Sequence, residues 1–334
     1  MQFARLGNTG IEVSRLGMGT ATFGGQSDAQ ACFAMLDACA ARGVNFIDTA
    51  DVYPLGSEPQ DKGESERIVG QWLKGKGQGQ RNRFIVATKG GGTMGPLSWE
   101  RGNSRKHLLD AIDASLKRLG MDHVDLYQLH YDDAQTPLDE TLAALDTIVR
   151  TGRARYVGVS NFQPWRLARA IGKCEAHDWA RPVAVQPRYN LLFRQIEREL
   201  VALCQEEGLA MLCYNPLAGG LLSAKHRFST APDAQSRFGL GTGALMYKDR
   251  YWHEREFLAV DAFAKVAAQA GTPPVRLAVA WVLAQQAVTS AVLGASRAEQ
   301  LTEVLNATET PIAPDVMAQL NALSHEFRMG DSSR

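Results

Sequence analysis

Residues 104–130 read SRKHLLDAIDASLKRLGMDHVDLYQLH, and this stretch predicts a helix followed by a strand. Ser104 is a typical helix-capping residue, apolar side chains recur at helical spacing over Leu108–Leu119, and Gly120 ends the pattern. The run Val124–His130 is short and mostly apolar, as expected of a buried strand. The stretch therefore predicts the alternating helices and parallel strands of an α/β protein.

The same alternation continues along most of the chain. Strands are predicted at Leu16–Phe23, Asn45–Ala50, Phe84–Lys89, Val124–His130, Ala154–Asn161, Val183–Tyr189, Ala210–Pro216 and Ser290–Ala295. Helices are predicted near 28–42, 64–74, 104–119, 137–150, 164–177, 195–207, 255–285 and 298–307. Eight strands, each followed by a helix, favour closure as a (β/α)8 TIM barrel over an open, doubly wound sheet.

Three segments depart from this repeat within what we expect to be one domain, residues 1–334. Residues 1–14 contain two short runs around Asn8-Thr9-Gly10, which predicts a β-hairpin able to plug one end of the barrel. Residues 218–254 are long, glycine-bearing and weakly periodic, as in a lid-like insert after the seventh strand. Residues 312–334 predict an extra helix at Pro314–Phe327 and a frayed end.

Composition excludes several classes of function. The 334 residues contain 36 Lys plus Arg and 36 Asp plus Glu, and this zero net charge argues against nucleic-acid binding. No segment resembles a signal peptide or a membrane span, so we expect no membrane partner. The five cysteines show no CxxC spacing, and the seven histidines form no HxH or HExxH pair. These features predict a reduced cytoplasmic protein with no metal site.

Polar residues stand at the predicted carboxyl ends of three successive strands. Asp48 lies at the end of the second strand with Tyr53 five positions later, Lys89 ends the third strand, and His130 ends the fourth. Parallel strands bring these ends to one rim. An ammonium beside a tyrosine favours release of the phenolic proton, a carboxylate holds that ammonium, and a histidine can hydrogen-bond a carbonyl oxygen. The group suits proton delivery to a carbonyl under reduction. A structural ion pair of Asp48 and Lys89, with Tyr53 packed in a loop, is the alternative.

Longer motifs occur in a fixed order over nearly the whole chain. They are LGMGTATFG (16–24), GVNFIDTADVY (43–53), GESERIVGQWL (63–73), SLKRLGMDHVDLYQLH (115–130), GRARYVGVSNF (152–162), VQPRYNLL (185–192), YNPLAGGLL (214–222) and VLGASRAEQL (292–301). In these motifs the sequence resembles the aldo-keto reductases, which are (β/α)8 barrels that use NADPH. The resemblance is greatest to the bacterial branch related to potassium-channel beta subunits. It implies that Asp48, Tyr53, Lys89 and His130 are the catalytic tetrad.

The resemblance also implies a set of residues that bind NADP(H). Ser160, Asn161 and Gln186 correspond to contacts of the nicotinamide carboxamide, and Tyr214 corresponds to the aromatic ring that stacks on the nicotinamide. The remaining contacts near the ribose and pyrophosphate are Gly19, Thr20, Asp48, Asn215, Pro216, Leu217 and Gly219. The glycine-rich stretch GGGTMG (90–95) follows a predicted strand, but the next predicted helix, near 104–119, does not begin directly after it. We therefore interpret it as a turn, not as the phosphate turn of a doubly wound dehydrogenase.

The segment after the last strand predicts a phosphate site, and the resemblance implies that it binds the adenosine phosphate of the cofactor. Gly294, Ser296 and Arg297 lead into a helix start, where free N–H groups and a guanidinium favour a phosphate. Two further residues, Gln300 and Glu303, are expected to face the adenine, although Val304 replaces the asparagine common in the family. In the insert, Ser223, Lys225 and Arg237 match further phosphate or adenine contacts, with ordinary solvated loop residues as the alternative.

The expected activity is NADPH-dependent reduction of aldehydes, and of ketones as a second class, with a small-molecule carbonyl compound as the partner. Phe23, Pro54, Tyr131 and Trp252 are expected to line an apolar substrate pocket, with core packing as the alternative for each. The alternative function is a redox-sensing regulatory subunit that binds the cofactor and acts through a protein partner. The sequence leaves the substrate, the direction of the reaction and the presence of a homo-oligomer open.

Overall fold

The structure, a computed structural model, describes residues 1–77, 79–241 and 243–329. The predicted frayed end is MGDSSR (329–334), and its residues 330–334 lie outside this part of the chain. No helix in the described ranges is long and apolar enough to cross a membrane.

The described strands form a short hairpin and a closed barrel. The hairpin pairs β1 (Phe3–Arg5) antiparallel with β2 (Glu12–Ser14). The barrel consists of β3 (Leu16–Gly19), β4 (Phe46–Asp48), β5 (Ile85–Gly90), β6 (Val124–Leu129), β7 (Ala154–Ser160), β8 (Ala184–Gln186), β9 (Ala210–Tyr214) and β10 (Val288–Leu293). Each of these eight strands pairs in parallel with the next along the chain, and β10 closes the ring against β3. The predicted (β/α)8 TIM barrel is confirmed.

Helices surround the barrel, and their ends follow local sequence signals. They are α1 (Ala29–Ala41), α2 (Glu64–Gly75), α3 (Arg105–Leu119), α4 (Leu138–Arg150), α5 (Pro164–His177), α6 (Leu200–Glu207), α7 (Gly243–Tyr251), α8 (Glu254–Gln269), α9 (Pro274–Ala284), α10 (Leu301–Leu305) and α11 (Pro314–Leu323). At the start of α3 the Ser104 side chain accepts a hydrogen bond from the backbone N–H of His107. Gly120 ends α3 at a φ of 64°, a left-handed conformation that suits glycine.

The interior of the barrel changes from apolar to polar along each strand. Side chains two residues apart on a strand point to the same face. Phe46, Leu126 and Leu212 therefore point inward and pack with other buried apolar side chains near the amino ends of the strands. Two positions further along β4 and β6 stand Asp48 and Gln128. The polar layer thus lies at the carboxyl ends.

The hairpin covers the amino-terminal end of the barrel. Leu6 and Val13 are fully buried and belong to the same apolar cluster as the inward-facing side chains. The backbone N–H of Ser14 donates to Asn45 Oδ1 at 2.7 Å, which ties the hairpin to the segment that enters β4. The predicted hairpin is present and plugs this end.

Several predicted boundaries are wrong, for local reasons. The helix predicted over 255–285 is divided into α8 and α9, because two prolines, Pro273 and Pro274, interrupt backbone hydrogen bonding and restart the helix. The helix predicted over 298–307 is a short 3-10 turn followed by α10. The insert, predicted to be irregular, contains α7. Its apolar side chains are not confined to one face, so the sequence shows no clear helical period.

Candidate active site

A cavity of about 300 Å³ opens at the carboxyl ends of the barrel strands. Its wall combines residues from several strand ends with residues of the insert that follows β9. Most of the predicted site residues line it: Gly19, Thr20, Asp48, Tyr53, His130, Tyr131, Ser160, Asn161, Gln186, Tyr214, Asn215, Pro216, Leu217, Gly219, Ser223, Lys225, Arg237, Gly294, Ser296 and Gln300. The predicted convergence of strand ends therefore produces one concave site.

A buried ion pair forms the floor of this site. Lys89 is fully buried, and its Nζ lies 2.6 Å from Asp48 Oδ2 and 2.9 Å from the backbone oxygen of Thr49. The other oxygen of Asp48 accepts hydrogen bonds from the amides of Gln186 at 2.8 Å and Gln128 at 3.2 Å. Both buried charges are therefore compensated. Gln128 was missed by the sequence reasoning, although it stands two residues before the predicted His130.

Tyr53 and His130 lie beside this ion pair. The two ring centres are 5.5 Å apart with the rings nearly perpendicular, and Lys89 Nζ lies 5.0 Å from the centre of the Tyr53 ring. Burial and the Asp48 carboxylate raise the pKa of the Tyr53 phenol well above its ordinary value. The positive charge of Lys89, 5.0 Å from the centre of the ring, does not reverse this rise, although we expected it to favour phenolate. Tyr53 is thus a protonated donor in this structure.

His130 is neutral in the same surroundings. Burial, and to a smaller extent the positive charge of Lys89, lower the pKa of His130 well below its ordinary value. A neutral imidazole retains one N–H donor and one acceptor nitrogen. It can therefore donate a hydrogen bond to a carbonyl oxygen without competing with Tyr53 as the acid.

A row of hydroxyl and amide groups continues from the tetrad across the next three strands. Asn161 Nδ2 donates to the backbone oxygen of His130 at 3.1 Å, and the Tyr214 hydroxyl donates to Asn161 Oδ1 at 2.9 Å. Ser160 Oγ donates to the backbone oxygen of Gln186 at 2.9 Å. These bonds hold the polar groups in place at the cavity wall, where they can recognise a flat polar ring.

The turn after β9 provides backbone groups along the cavity. The backbone N–H of Gly219 donates to Asn215 Oδ1 at 2.6 Å, which closes the turn. Next to it, a Cβ atom on Gly220 would meet no atom within 4 Å. The turn therefore leaves space at Gly220 into which an elongated ligand could extend along the cavity wall.

Arg237 lies against the main chain at the end of β10. A Cβ atom added to Gly294 would lie only 2.8 Å from Arg237 Nη2, so the guanidinium uses space that glycine leaves open. Arg237 Nη1 also donates to the Tyr247 hydroxyl at 2.7 Å. Lys225 lines the same cavity and is exposed. Two cations of the insert thus line the cavity, and Arg237 is the one placed beside Gly294.

The cation and the carboxylate predicted after β10 do not reach the cavity. Arg297 is exposed and absent from the cavity wall. Glu303 accepts a 2.6 Å hydrogen bond from Arg276 of α9 and also lies outside it. The short 3-10 turn directs Gln300 and Val304 inward, one helical turn apart, and leaves Glu303 on the face toward α9. The sequence around the helix start does not determine how this turn is rotated, and so it could not predict which of these side chains face the cavity.

Of the four predicted substrate residues, the structure brings Tyr131 to the cavity. Its ring is 47% exposed and stacks on His130 at 4.5 Å. Phe23 is fully buried in the core, and Pro54 is buried and lies beside Gly25. Trp252 packs within the insert, between aromatic side chains that include Phe238 at 4.9 Å. These three positions are corrections to the prediction, because core packing takes the side chains away from the wall.

Sequence reasoning missed most of the cavity wall that the insert contributes. The missed lining residues are Ala21, Gln26, Leu55, Gly220, His226, Gln235, Ser236, Met246, Tyr247, Arg250, Val275, Val292, Leu293, Ala295 and Val304. Gln26 Nε2 donates to the backbone oxygen of Gln235 at 2.6 Å, so the insert is joined to the first barrel loop. No regular period in the insert marked these positions, because the apolar side chains of α7 are not confined to one face.

Other features of the described residues bear on cofactors and redox state. No group of three or more His, Cys, Asp or Glu side chains there is arranged to hold a metal ion. All five cysteines are free and buried, and burial raises the pKa of each thiol. The site's polar groups are therefore hydroxyls, amides, one ion pair and cations of the insert.

Comparison with known proteins agrees with this geometry. The sequence profile of the Aldo/keto reductase family matches residues 15–325. The "Uncharacterized oxidoreductase YrpG" of Bacillus subtilis (strain 168) is 34% identical over 328 residues, which cover 96% of this chain and 95% of the relative. The "Probable voltage-gated potassium channel subunit beta" of Oryza sativa subsp. japonica is 34% identical, with 97% and 96% covered.

A further relative carries a substrate in its name. The L-glyceraldehyde 3-phosphate reductase of Escherichia coli (strain K12) is 32% identical over 310 residues, which cover 92% of this chain and 87% of the relative. The family match and the oxidoreductase relatives indicate an oxidoreductase and support carbonyl reduction as its general chemistry. On the closed barrel, the site at its carboxyl end and these matches, the chain belongs to the aldo/keto reductase family.

Proposed function

We propose that this protein reduces aldehydes, and ketones as a second class, to alcohols with NADPH, and that Tyr53 is the general acid. The carrying observation is the placement of Tyr53 and His130 on the cavity wall, directly over the buried Asp48–Lys89 pair. The relative that is named as an L-glyceraldehyde 3-phosphate reductase supports an aldehyde as substrate.

The residues present fit a phosphorylated nicotinamide dinucleotide. Ser160, Asn161 and Gln186 would hold the nicotinamide carboxamide beside Tyr214. The open space beside Gly220 would admit the pyrophosphate, and Arg237 with Lys225 would hold the adenosine phosphate. When bound, NADPH would supply the hydride that adds to the carbonyl carbon.

The chain's own residues would supply the proton and orient the substrate. Tyr53 would donate its phenolic proton to the carbonyl oxygen, and that proton becomes the hydroxyl proton of the alcohol. Lys89, held by Asp48, would stabilise the negative charge left on the phenolate oxygen. Neutral His130 would donate a hydrogen bond to the same carbonyl oxygen and so select the face that is presented.

The test is Tyr53→Phe, which removes the proton and keeps the ring. We expect kcat to fall by about a thousandfold for every aldehyde, within the range that general acid catalysis contributes. NADPH affinity, measured by quenching of protein fluorescence, should be retained. Tyr156→Phe is the matched control, since Tyr156 is partly buried and does not line the cavity. Turnover of Tyr53→Phe near that of the wild type would exclude Tyr53 as the acid.

A regulatory role remains the second candidate, and the similarity to the rice protein named as a channel beta subunit favours it. A panel of aldehydes and ketones assayed with NADPH and NADH separates the two functions. Slow turnover of every substrate, together with tightly copurifying NADP(H) and a stable protein partner, would favour the regulatory subunit. Turnover that depends on the identity of the aldehyde would favour the reductase.

A further inference from the structure

Arg250 is a cation of the cavity wall that the proposed function does not use. It belongs to α7 in the insert, is half-buried, and lines the cavity together with Tyr131 and Tyr214. A half-buried guanidinium is costly unless its N–H donors are satisfied, so its surroundings indicate what it binds.

Arg250 lies at the His130 end of the cavity. Burial raises the pKa of the Tyr214 phenol, and the positive charge of the nearby Arg250 guanidinium opposes the rise. Arg250 opposes a similar rise at Tyr131, whose ring stacks on His130 at 4.5 Å. Arg237, by contrast, lies against Gly294 after β10. Arg237 is also bonded to the Tyr247 hydroxyl at 2.7 Å, whereas no such bond holds Arg250 among the described residues.

The local charge balance around Arg250 is positive. Within the described ranges no carboxylate oxygen lies within 4.0 Å of its guanidinium nitrogens. Asp48 is the one carboxylate among the described lining residues, and it is paired with Lys89 at 2.6 Å. The neighbouring phenols of Tyr131 and Tyr214 are neutral and leave the guanidinium charge uncompensated.

We propose that Arg250 binds an anionic group, a carboxylate or a phosphate, that is carried by the carbonyl substrate. The inference rests on the proposed reductase function and names its substrate class. A guanidinium can form two parallel hydrogen bonds to either anion, and partial burial strengthens them. Tyr131 and Tyr214 provide the aromatic surroundings for the part of the substrate between the anion and the carbonyl group.

The experiment compares matched aldehydes on the wild type and Arg250→Met. One pair is 4-formylbenzoate and its methyl ester, and the other is 4-formylphenyl phosphate and 4-methoxybenzaldehyde. For each pair, we compare kcat/KM for the charged aldehyde with kcat/KM for the neutral one. This ratio should fall at least about tenfold in Arg250→Met in one or both pairs, because a charge-assisted hydrogen bond is lost. The loss should appear as a higher KM for the charged aldehyde. The pair that responds identifies the anion. Arg250→Lys should recover part of the ratio.

Lys248→Met is the matched control, because it removes a charge from the same helix at a position outside the cavity wall. Its ratios should remain those of the wild type. Unchanged ratios in Arg250→Met for both pairs would overturn the proposal, as would an equal loss for charged and neutral aldehydes. Weakened binding of NADPH to Arg250→Met, with unchanged ratios, would assign the guanidinium to the cofactor instead.

A binding measurement separates this inference from the proposed function. If the wild type reduces no carbonyl compound, the reductase proposal fails, and calorimetry with 4-(hydroxymethyl)benzoate still tests Arg250 without turnover. Binding by the NADP+-treated wild type that is lost in Arg250→Met, with benzyl alcohol as the neutral reference, would support the anion site. Equal binding by both proteins would overturn it.

Discussion

The two ends of the barrel interior are built from the same strands but differ in chemistry. At the amino end, Phe46 and Leu126 pack with the hairpin residues Leu6 and Val13, and this end is closed. At the carboxyl end, two residues further along each strand, Asp48 and the other polar side chains form a hydrogen-bonded layer under an open cavity. The amino end of each strand therefore contributes apolar packing, and the carboxyl end places buried charges under the cavity, where a (β/α)8 barrel has its active site.

The largest expected effect comes from Lys89→Met, which removes the ammonium of the buried ion pair at the carboxyl end of the barrel. Turnover should fall by at least about a thousandfold, because Tyr53 loses the adjacent positive charge. The free energy of unfolding should fall by about 3 kcal/mol, because Asp48 becomes a buried charge without its partner. Urea denaturation and steady-state kinetics measure the two effects.

The double variant Asp48→Asn/Lys89→Met is the control for Lys89→Met. Removing both charges should recover most of the lost stability and none of the turnover. Recovery of turnover in the double variant would contradict a chemical role for the pair.

Phe46→Ala, which removes a ring from the apolar cluster at the amino end of the barrel, should affect stability more than activity. Phe46 is fully buried, and its removal should lower the free energy of unfolding by about 3 to 4 kcal/mol. The KM for NADPH should change little, because Phe46 does not line the cavity. Phe3→Ala is the control at an exposed hairpin position and should cost less than about 0.5 kcal/mol. A loss of cofactor affinity in folded Phe46→Ala would show that the two ends are coupled.

A third prediction concerns the buried carboxyl group of Asp51. Asp51 is fully buried, and burial together with the nearby Glu66 carboxylate raises its pKa to about 7. The unfolded chain loses this proton near the ordinary pKa of 3.8, so the folded state binds more protons between about pH 4 and 7. This contribution to stability is complete below about pH 4 and is lost as pH rises to about 7.

Asp51→Asn should remove that dependence. The stability of Asp51→Asn relative to the wild type should rise by about 4 kcal/mol between pH 4 and 7 and then stay level. Urea denaturation across this range measures it, and Asp110→Asn is the matched control, since Asp110 is exposed. If the free energy of unfolding changes with pH in the same way for the wild type and Asp51→Asn, Asp51 ionises normally in the folded protein.

The smallest expected effect separates two arginines that the sequence does not distinguish. Arg237→Met should weaken NADPH binding by about tenfold and NADH binding far less, because one charge-assisted contact to the extra phosphate is lost. Arg297→Met should change neither affinity, since Arg297 is exposed and outside the cavity wall. Fluorescence titration with NADPH and NADH measures the effect. If Arg297→Met alone loses the preference for NADPH over NADH, the sequence prediction that Arg297 binds the adenosine phosphate is correct.

Regular elements were predictable because their signals are local. The cap at Ser104, the glycine at 120 and the short apolar runs correspond to observed helix ends and strands. The errors occur where the chain is irregular. Trp252, for example, has the composition of a pocket residue, but it packs within the aromatic cluster of the insert. Neither the residue type nor its spacing distinguishes these two outcomes, because the partners are distant in sequence.

The sequence by itself determined the barrel and the shared rim of Asp48, Lys89 and His130. Strand period and parallel direction follow from the order of residues alone, and together they bring strand ends to one face. Only the tertiary structure decided which cations face the cavity. Arg237 and Arg250 reach it and Arg297 does not, because the path of the insert and the rotation of a short helical turn depend on packing against distant segments.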